Sequence, residues 1–209
     1  MRLLLVRHGE SICGVNGVVG GAKGCTGLTE RGVEQVRALA DRFELEGFVP
    51  DDILASTLLR ARQTAEVLAE RWGTAVSTRP DLRELDPGEI DGTLWDDHHA
   101  RGGGFDMVAE PDRPLSPGGE SLNAFRERIA SVIEQLRTEY DGRTVLAACH
   151  GGPIFMSMLT SFATPTGERV FMRPEFTSVT EWEQGDGRWL LHRYNDAGHL
   201  RGTNLLAEV

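Results

Sequence analysis

Two stretches place a histidine at the end of an apolar run and follow it with glycine. In "LLLVRHGES" Arg7 and His8 follow Leu3–Val6, and in "VLAACHGGPI" His150 follows Val145–Cys149 and precedes Gly151 and Gly152. Short apolar runs of this kind read as buried strands, so both histidines fall where a strand leaves the core. A lone histidine there is more often structural than chemical. The repeated pair, with Arg7 beside one member, favours chemistry. A neutral imidazole nitrogen attacks phosphorus when its other ring nitrogen is held in one tautomer. A backbone carbonyl of the glycine-rich segment after His8 is the expected acceptor.

A phosphoryl group must be met by several fixed donors. Arg7, Arg60, His150 and the Gly151 amide are the candidates, with Ser11 as a further polar group whose plainer role is a local turn bond. A leaving alkoxide needs a proton. Glu10, Glu84, Asp86, Glu89 and Asp91 all qualify by type. Glu84 is preferred for its place at the entry to an irregular segment, although composition does not select it.

The elements that must position these residues alternate between strand and helix. Arg2–Val6 reads as a strand and Gly9–Leu28 as a long loop with seven glycines. Thr29 caps a helix running to about Glu46, with Val33, Val36, Ala40 and Phe43 on its apolar face. "DDILAS" returns as a strand, and Leu58–Trp72 forms the next helix. A weaker strand lies near Val76–Thr78. Asp86–Pro117 is rich in Asp, Gly, His and Pro, with a short helix signal at Leu94–His99, and reads as an irregular cover or insertion. A periodic helix spans Gly119–Tyr140. "RTVLAAC" is a strand, Pro153–Phe162 a helix, and Thr177–Glu183 and Trp189–Tyr194 are strands around the turn "QGDG". The pattern predicts one layered α/β domain over 1–209 with a mainly parallel sheet, whose ligand gathers at the C-terminal strand ends.

Composition narrows the partners. The 209 residues are 40% hydrophobic and 26% charged, and the formal net charge is −10. That charge repels nucleic acid and anionic membrane at long range but leaves room for a small anion in a locally positive pocket. No apolar run approaches a membrane span, and no signal-peptide pattern opens the chain, so a cytoplasmic location is expected. Cys13, Cys25 and Cys149 form no disulfide framework and are expected to be non-catalytic. The neighbours Asp96, Asp97, His98 and His99 lack the spacing of a strong metal motif, so no metal or other cofactor is expected. Monomer and homodimer both stay open.

The chain resembles the histidine phosphatase superfamily, also called phosphoglycerate-mutase-like, along nearly its whole length. "LLLVRHGES" is similar to the family's opening motif. "GLTERGVEQVRALADRF", "ASTLLRARQTAEVL", "LRELDPGEIDG", "GGESLNAFRERI", "VLAACHGGPI" and "YNDAGHL" resemble later blocks in the right order. The resemblance implies a three-layer α/β/α fold around a mixed sheet and no metal requirement. It further implies His8 as the nucleophile that becomes phosphohistidine. Arg7, Arg60 and His150 would bind the phosphoryl group, and Glu84 would act as proton donor and then activate water. One departure is plain: six residues after the nucleophile, where the family usually carries a phosphate-contacting asparagine, stands Gly14. Asn16, two residues later, is the candidate replacement.

Where glycolytic mutases share a Glu-Arg-His-Tyr-Gly stretch, this chain has "ELDPGEIDG". It also has a single lysine, Lys23, for binding a substrate carboxylate. Both favour a phosphomonoesterase acting on a small phosphorylated metabolite. The alternatives are a phosphoglycerate-type mutase and a non-catalytic phospholigand-binding regulator. Sugar phosphates, phosphoglycerate derivatives, nucleotides and cofactor precursors all remain open as substrates. Trp95, Phe105 and Met107 in the cover either contact an apolar or ring-bearing leaving group or pack the cover down.

Overall fold

The computed structural model describes residues 1–163 and 171–206. The apolar run that opens the chain becomes β1 (Arg2–Arg7), near the middle of a six-stranded sheet among the described residues. Its neighbour β4 (Thr144–Cys149) is parallel to it. Beyond β4 lie β2 (Asp52–Ser56) and β3 (Val76–Arg79), parallel again. On the other side, β5 (Val179–Gly185) runs antiparallel to β1, and β6 (Arg188–Asp196) antiparallel to β5. The order is β3-β2-β4-β1-β5-β6. Successive strand residues point to opposite faces, and both faces of the parallel part are covered, which is why these strands read as unbroken apolar runs.

The two faces make two cores. Leu3, Leu5, Val145 and Ala147 pack toward α5 (Leu122–Glu139) and α6 (Gly151–Ser161). Leu4, Val6, Leu146 and Ala148 pack toward α2 (Glu30–Leu45) and α3 (Leu59–Ala69). The result is a three-layer α/β/α fold with a mixed, mostly parallel sheet. The helices present the faces their periodicity predicts. Val36, Leu39, Ala40 and Phe43 are buried on α2, and Phe125, Ile129, Val132 and Leu136 on α5. Thr29 caps α2 by accepting the Gly32 N–H, and Ser121 caps α5 by accepting that of Ala124.

The differences from expectation have local causes. The glycine-rich loop contains a helical turn, α1 (Ile12–Val15), because Ser11 caps it through the Gly14 N–H. The helix expected from Pro153 begins earlier, at Gly151, because proline is tolerated within a first helical turn. The strand expected from Thr177 starts at Val179, since Thr177 holds a left-handed φ of 54°. The helix expected to reach Trp72 stops at Ala69. The cover carries one short helix, α4 (Trp95–Ala100). Asp91 ties the cover to the glycine-rich loop by accepting the N–H groups of Gly21, Lys23 and Gly24 at 2.9, 2.7 and 2.9 Å.

Candidate active site

The register of β1 on β4 pairs Arg7 with Cys149, so His8 and His150 leave adjacent strands side by side. Their ring centroids lie 5.1 Å apart, edge to face. His8 is buried, and its Nδ1 donates to the Gly9 carbonyl at 2.7 Å. That bond leaves Nε2 as the lone-pair nitrogen, and the Arg60 Nε–H donates to it at 3.0 Å. Burial, reinforced by Arg60 and Arg7, pushes the His8 pKa well below the usual imidazole value, so the ring is neutral. The backbone passes closely here. A Cβ on Gly9 would sit 2.5 Å from the Gly32 carbonyl oxygen, so glycine is what lets the strand end run against the start of α2.

Arg60, in the first turn of α3, is buried and also donates to the Gly20 carbonyl at 2.7 Å. Arg7 donates to the Pro174 carbonyl, and its guanidinium lies 4.2 Å from the Phe176 ring centre. Burial lowers the Arg7 pKa to about 10, which still leaves it charged at neutral pH. His150 Nε2 lies 2.7 Å from Ser56 Oγ, at the end of β2. Burial first, then Arg60, holds His150 neutral as well. Two buried polar atoms at this edge, Arg7 Nε and His150 Nδ1, have no protein partner.

Of the five carboxylates eligible by type, Glu84 lines the main cavity, together with Arg7, His8 and Arg60. It accepts the Gly152 N–H at 3.1 Å and the Leu85 N–H at 3.0 Å, so the first turn of α6 orients it. Glu10 instead accepts from the Thr29 hydroxyl, Asp86 from the Gly88 N–H, and Asp91 from the three amides above.

The segment that presents Glu84 is held by a residue the sequence did not single out. Arg128 on α5 donates to the carbonyls of Asp81, Arg83 and Glu84 at 2.7, 3.0 and 3.3 Å. It also pairs with both Glu120 oxygens, each at 2.7 Å, while Glu120 accepts the Asp86 N–H. A charged residue inside a periodic helix reads as solvated surface, and nothing in the spacing of Glu120 and Arg128 signals otherwise.

The remaining candidates divide. Ser11 lines the main cavity while capping α1. Gly151 lines a smaller cavity of about 200 Å³ that reaches Arg7, His8 and Glu84 along the start of α6. Asn16 is exposed at the C-terminal end of α1 and lines neither cavity, whereas Gly14 lines the main one. Cys13 and Cys25 are free and buried and flank Arg60. Its guanidinium lies 3.9 Å from Cys13 Sγ, and its backbone N–H donates to Cys25 Sγ at 3.4 Å. Among the described residues, no group of three or more His, Cys, Asp or Glu is placed to hold a metal ion.

A strand-end histidine that lines one cavity with two arginines and a carboxylate, and a second, fully buried histidine packed against its ring, fit the blocks the sequence resembles. The family model of the histidine phosphatase superfamily (branch 1) matches residues 3–197. The chain belongs to that superfamily. It is 27% identical over 208 residues to the metal-independent phosphoserine phosphatase of Arabidopsis thaliana, covering 98% of this chain and 85% of the other. It is 32% identical over 160 residues to the 2,3-bisphosphoglycerate-dependent phosphoglycerate mutase of Parvibaculum lavamentivorans, covering 73% and 75%. The α-ribazole phosphatase of Shigella flexneri superposes with a TM-score of 0.81 at 25% identity, covering 94% of this chain and 97% of that one. The likeness is thus to phosphatases and mutases of small phosphorylated metabolites. No helix among the described residues of this superfamily member is long and apolar enough to cross a membrane.

Proposed function

We propose that this chain is a metal-independent phosphomonoesterase of a small phosphorylated metabolite, working through a phosphohistidine on His8. The observation that carries the reading is the bonding of His8. One ring nitrogen is committed to the Gly9 carbonyl, and the lone pair of the other accepts the Arg60 Nε–H beside a cavity that His8 lines with Arg7, Arg60 and Glu84, where it becomes free to attack once Arg60 turns to the phosphoryl oxygens. The lone pair of Nε2 attacks phosphorus while the P–O bond to the leaving alcohol breaks, and Glu84 gives that oxygen its proton. The Gly9 carbonyl supports the positive charge that develops on the ring. In the second step Glu84 takes a proton from water. The oxygen adds to phosphorus, and the P–N bond returns its pair to Nε2.

Arg60 and Arg7 meet the phosphoryl oxygens. The unpaired Arg7 Nε and His150 Nδ1 are donors that such an oxygen would satisfy, since a buried polar atom left unpaired costs about 1–3 kcal/mol. The mutase alternative differs only in the acceptor, a second hydroxyl in place of water. The test is turnover of phosphomonoesters without added metal, following both inorganic phosphate and rearranged ester, with His8→Ala as control. Phosphate release that disappears in His8→Ala is expected. Rearrangement without release would assign the mutase reaction, and release undiminished in His8→Ala would remove the nucleophile.

A further inference from the structure

The main cavity measures about 540 Å³, in the range of sites that enclose drug-sized ligands and far more than a phosphoryl group fills. Above the cluster of Arg7, His8, Arg60 and Glu84 its wall is apolar. Trp95, Phe105 and Met107 of the cover line it together with Val18, Leu85 and Phe176, the last packed on Arg7. All three aromatic rings are half-buried and line the space. Two have a neighbour against the ring: Trp95 stacks on His99, itself a lining residue, at 5.9 Å, and Arg113 sits 4.1 Å from the centre of Phe105.

The charge census points the same way. Among the described residues lining this cavity, the arginines are Arg7 and Arg60 and there is no lysine. Both arginines belong to the phosphoryl end. Glu84, the carboxyl among the lining residues, stands at the same end. His98, also in the wall, has a buried Nε2 with no partner, a polar atom suited to one oxygen or nitrogen of a ligand.

Resting on the phosphomonoesterase reading, we infer that the leaving group is an uncharged alcohol carrying a planar ring, taken against Trp95 and Phe105 of the cover. A carboxylated or doubly phosphorylated leaving group would find no arginine or lysine among the residues lining that wall and would lose its hydration to apolar side chains. A ring gains both burial and stacking.

The test compares four esters that all release an alkoxide: benzyl phosphate and adenosine 5′-monophosphate against glycerol 3-phosphate and 3-phosphoglycerate. The ring-bearing pair is expected to show kcat/KM at least about tenfold higher. In Trp95→Leu and, separately, Phe105→Leu, the ratio of benzyl phosphate to glycerol 3-phosphate should fall toward one, mainly through KM for the ring ester. Equal turnover of all four esters would overturn the inference and leave the phosphomonoesterase intact. A preference for 3-phosphoglycerate would overturn it too, placing the leaving group in the smaller cavity, which Arg173 lines. Release from none of the four, nor from p-nitrophenyl phosphate, would refute the phosphomonoesterase reading and the inference with it.

Discussion

Gly152→Ala should separate the roles proposed for His8 and Glu84. Gly152 is the second residue of α6, and a Cβ built there would lie 1.9 Å from Glu84 Oε1 and 2.8 Å from Phe125 Cζ. Alanine suits a helix better than glycine, by about 0.8–1.0 kcal/mol in a helix interior, which offsets part of the cost of the small shift it demands of the buried Phe125 ring. The flexible carboxylate has to yield. Restoring ordinary contact moves its oxygen by roughly 1.5 Å, and a misplacement of about 1 Å at a reacting centre costs around 100-fold in rate, or about 2.7 kcal/mol. His8, Arg60 and Arg7 are untouched. Steady-state kcat on benzyl phosphate, which needs its leaving oxygen protonated, should therefore fall by about 100-fold. With p-nitrophenyl phosphate the leaving group needs no acid. A pre-steady-state burst of nitrophenol should survive, followed by a slow phase limited by attack of water. Stopped-flow absorbance reads both phases. An unchanged kcat for benzyl phosphate would refute the placement of Glu84, and loss of the burst along with turnover would refute the separation of roles.

Ser56→Ala removes the partner 2.7 Å from His150 Nε2 and leaves a fully buried ring with neither nitrogen paired. Stability should fall by about 1–3 kcal/mol, read by thermal melting, with inhibition by vanadate weakened about tenfold; unchanged vanadate affinity would detach His150 from the phosphoryl site. Arg128→Met keeps bulk in α5 but releases the carbonyls around Glu84. It should lower kcat for alkyl phosphates by about 10–100-fold with little change in KM, and an equal loss for p-nitrophenyl phosphate in the burst phase would mean general unfolding instead. Stability should fall with acid. His8, His150 and His199 are all held below the usual imidazole pKa by burial, His199 at about 4. The unfolded chain therefore takes up protons near pH 6.5 that the folded chain refuses. Urea midpoints should be flat above about pH 7 and decline from about 6.5 toward 4; a midpoint rising across that window would contradict the burial argument.

The layered fold was legible because parallel strands buried on both faces cannot avoid continuous apolar runs, as in Leu3–Val6 and Val145–Cys149. Amphipathic helices such as α2 and α5 likewise cannot avoid a 3.6-residue period. The meeting of Arg7, His8 and His150 was legible for a related reason: residues at the ends of neighbouring parallel strands share one edge of the sheet. What stayed hidden depends on contacts between distant segments. Ser56 looks like an ordinary strand end until β2 sets it against His150. Arg128 looks like solvated surface until α5 brings it to the carbonyls of residues 81–84. Asp91 looks like a candidate acid until three loop amides claim it. The cover's aromatic residues could not be told from packing groups, because which side of Trp95 and Phe105 faces a cavity is decided by how the cover folds back.

The most direct test of the account is to trap the covalent intermediate. Protein mixed with radiolabelled p-nitrophenyl phosphate and quenched within milliseconds should carry up to one phosphoryl group per chain. The label should be labile to acid and stable to base, as a phosphoramidate requires, and peptide mapping should place it on His8. His8→Ala should carry none. Turnover without any trappable label in wild type or Gly152→Ala, or a label on another residue, would contradict the assignment of His8 as nucleophile.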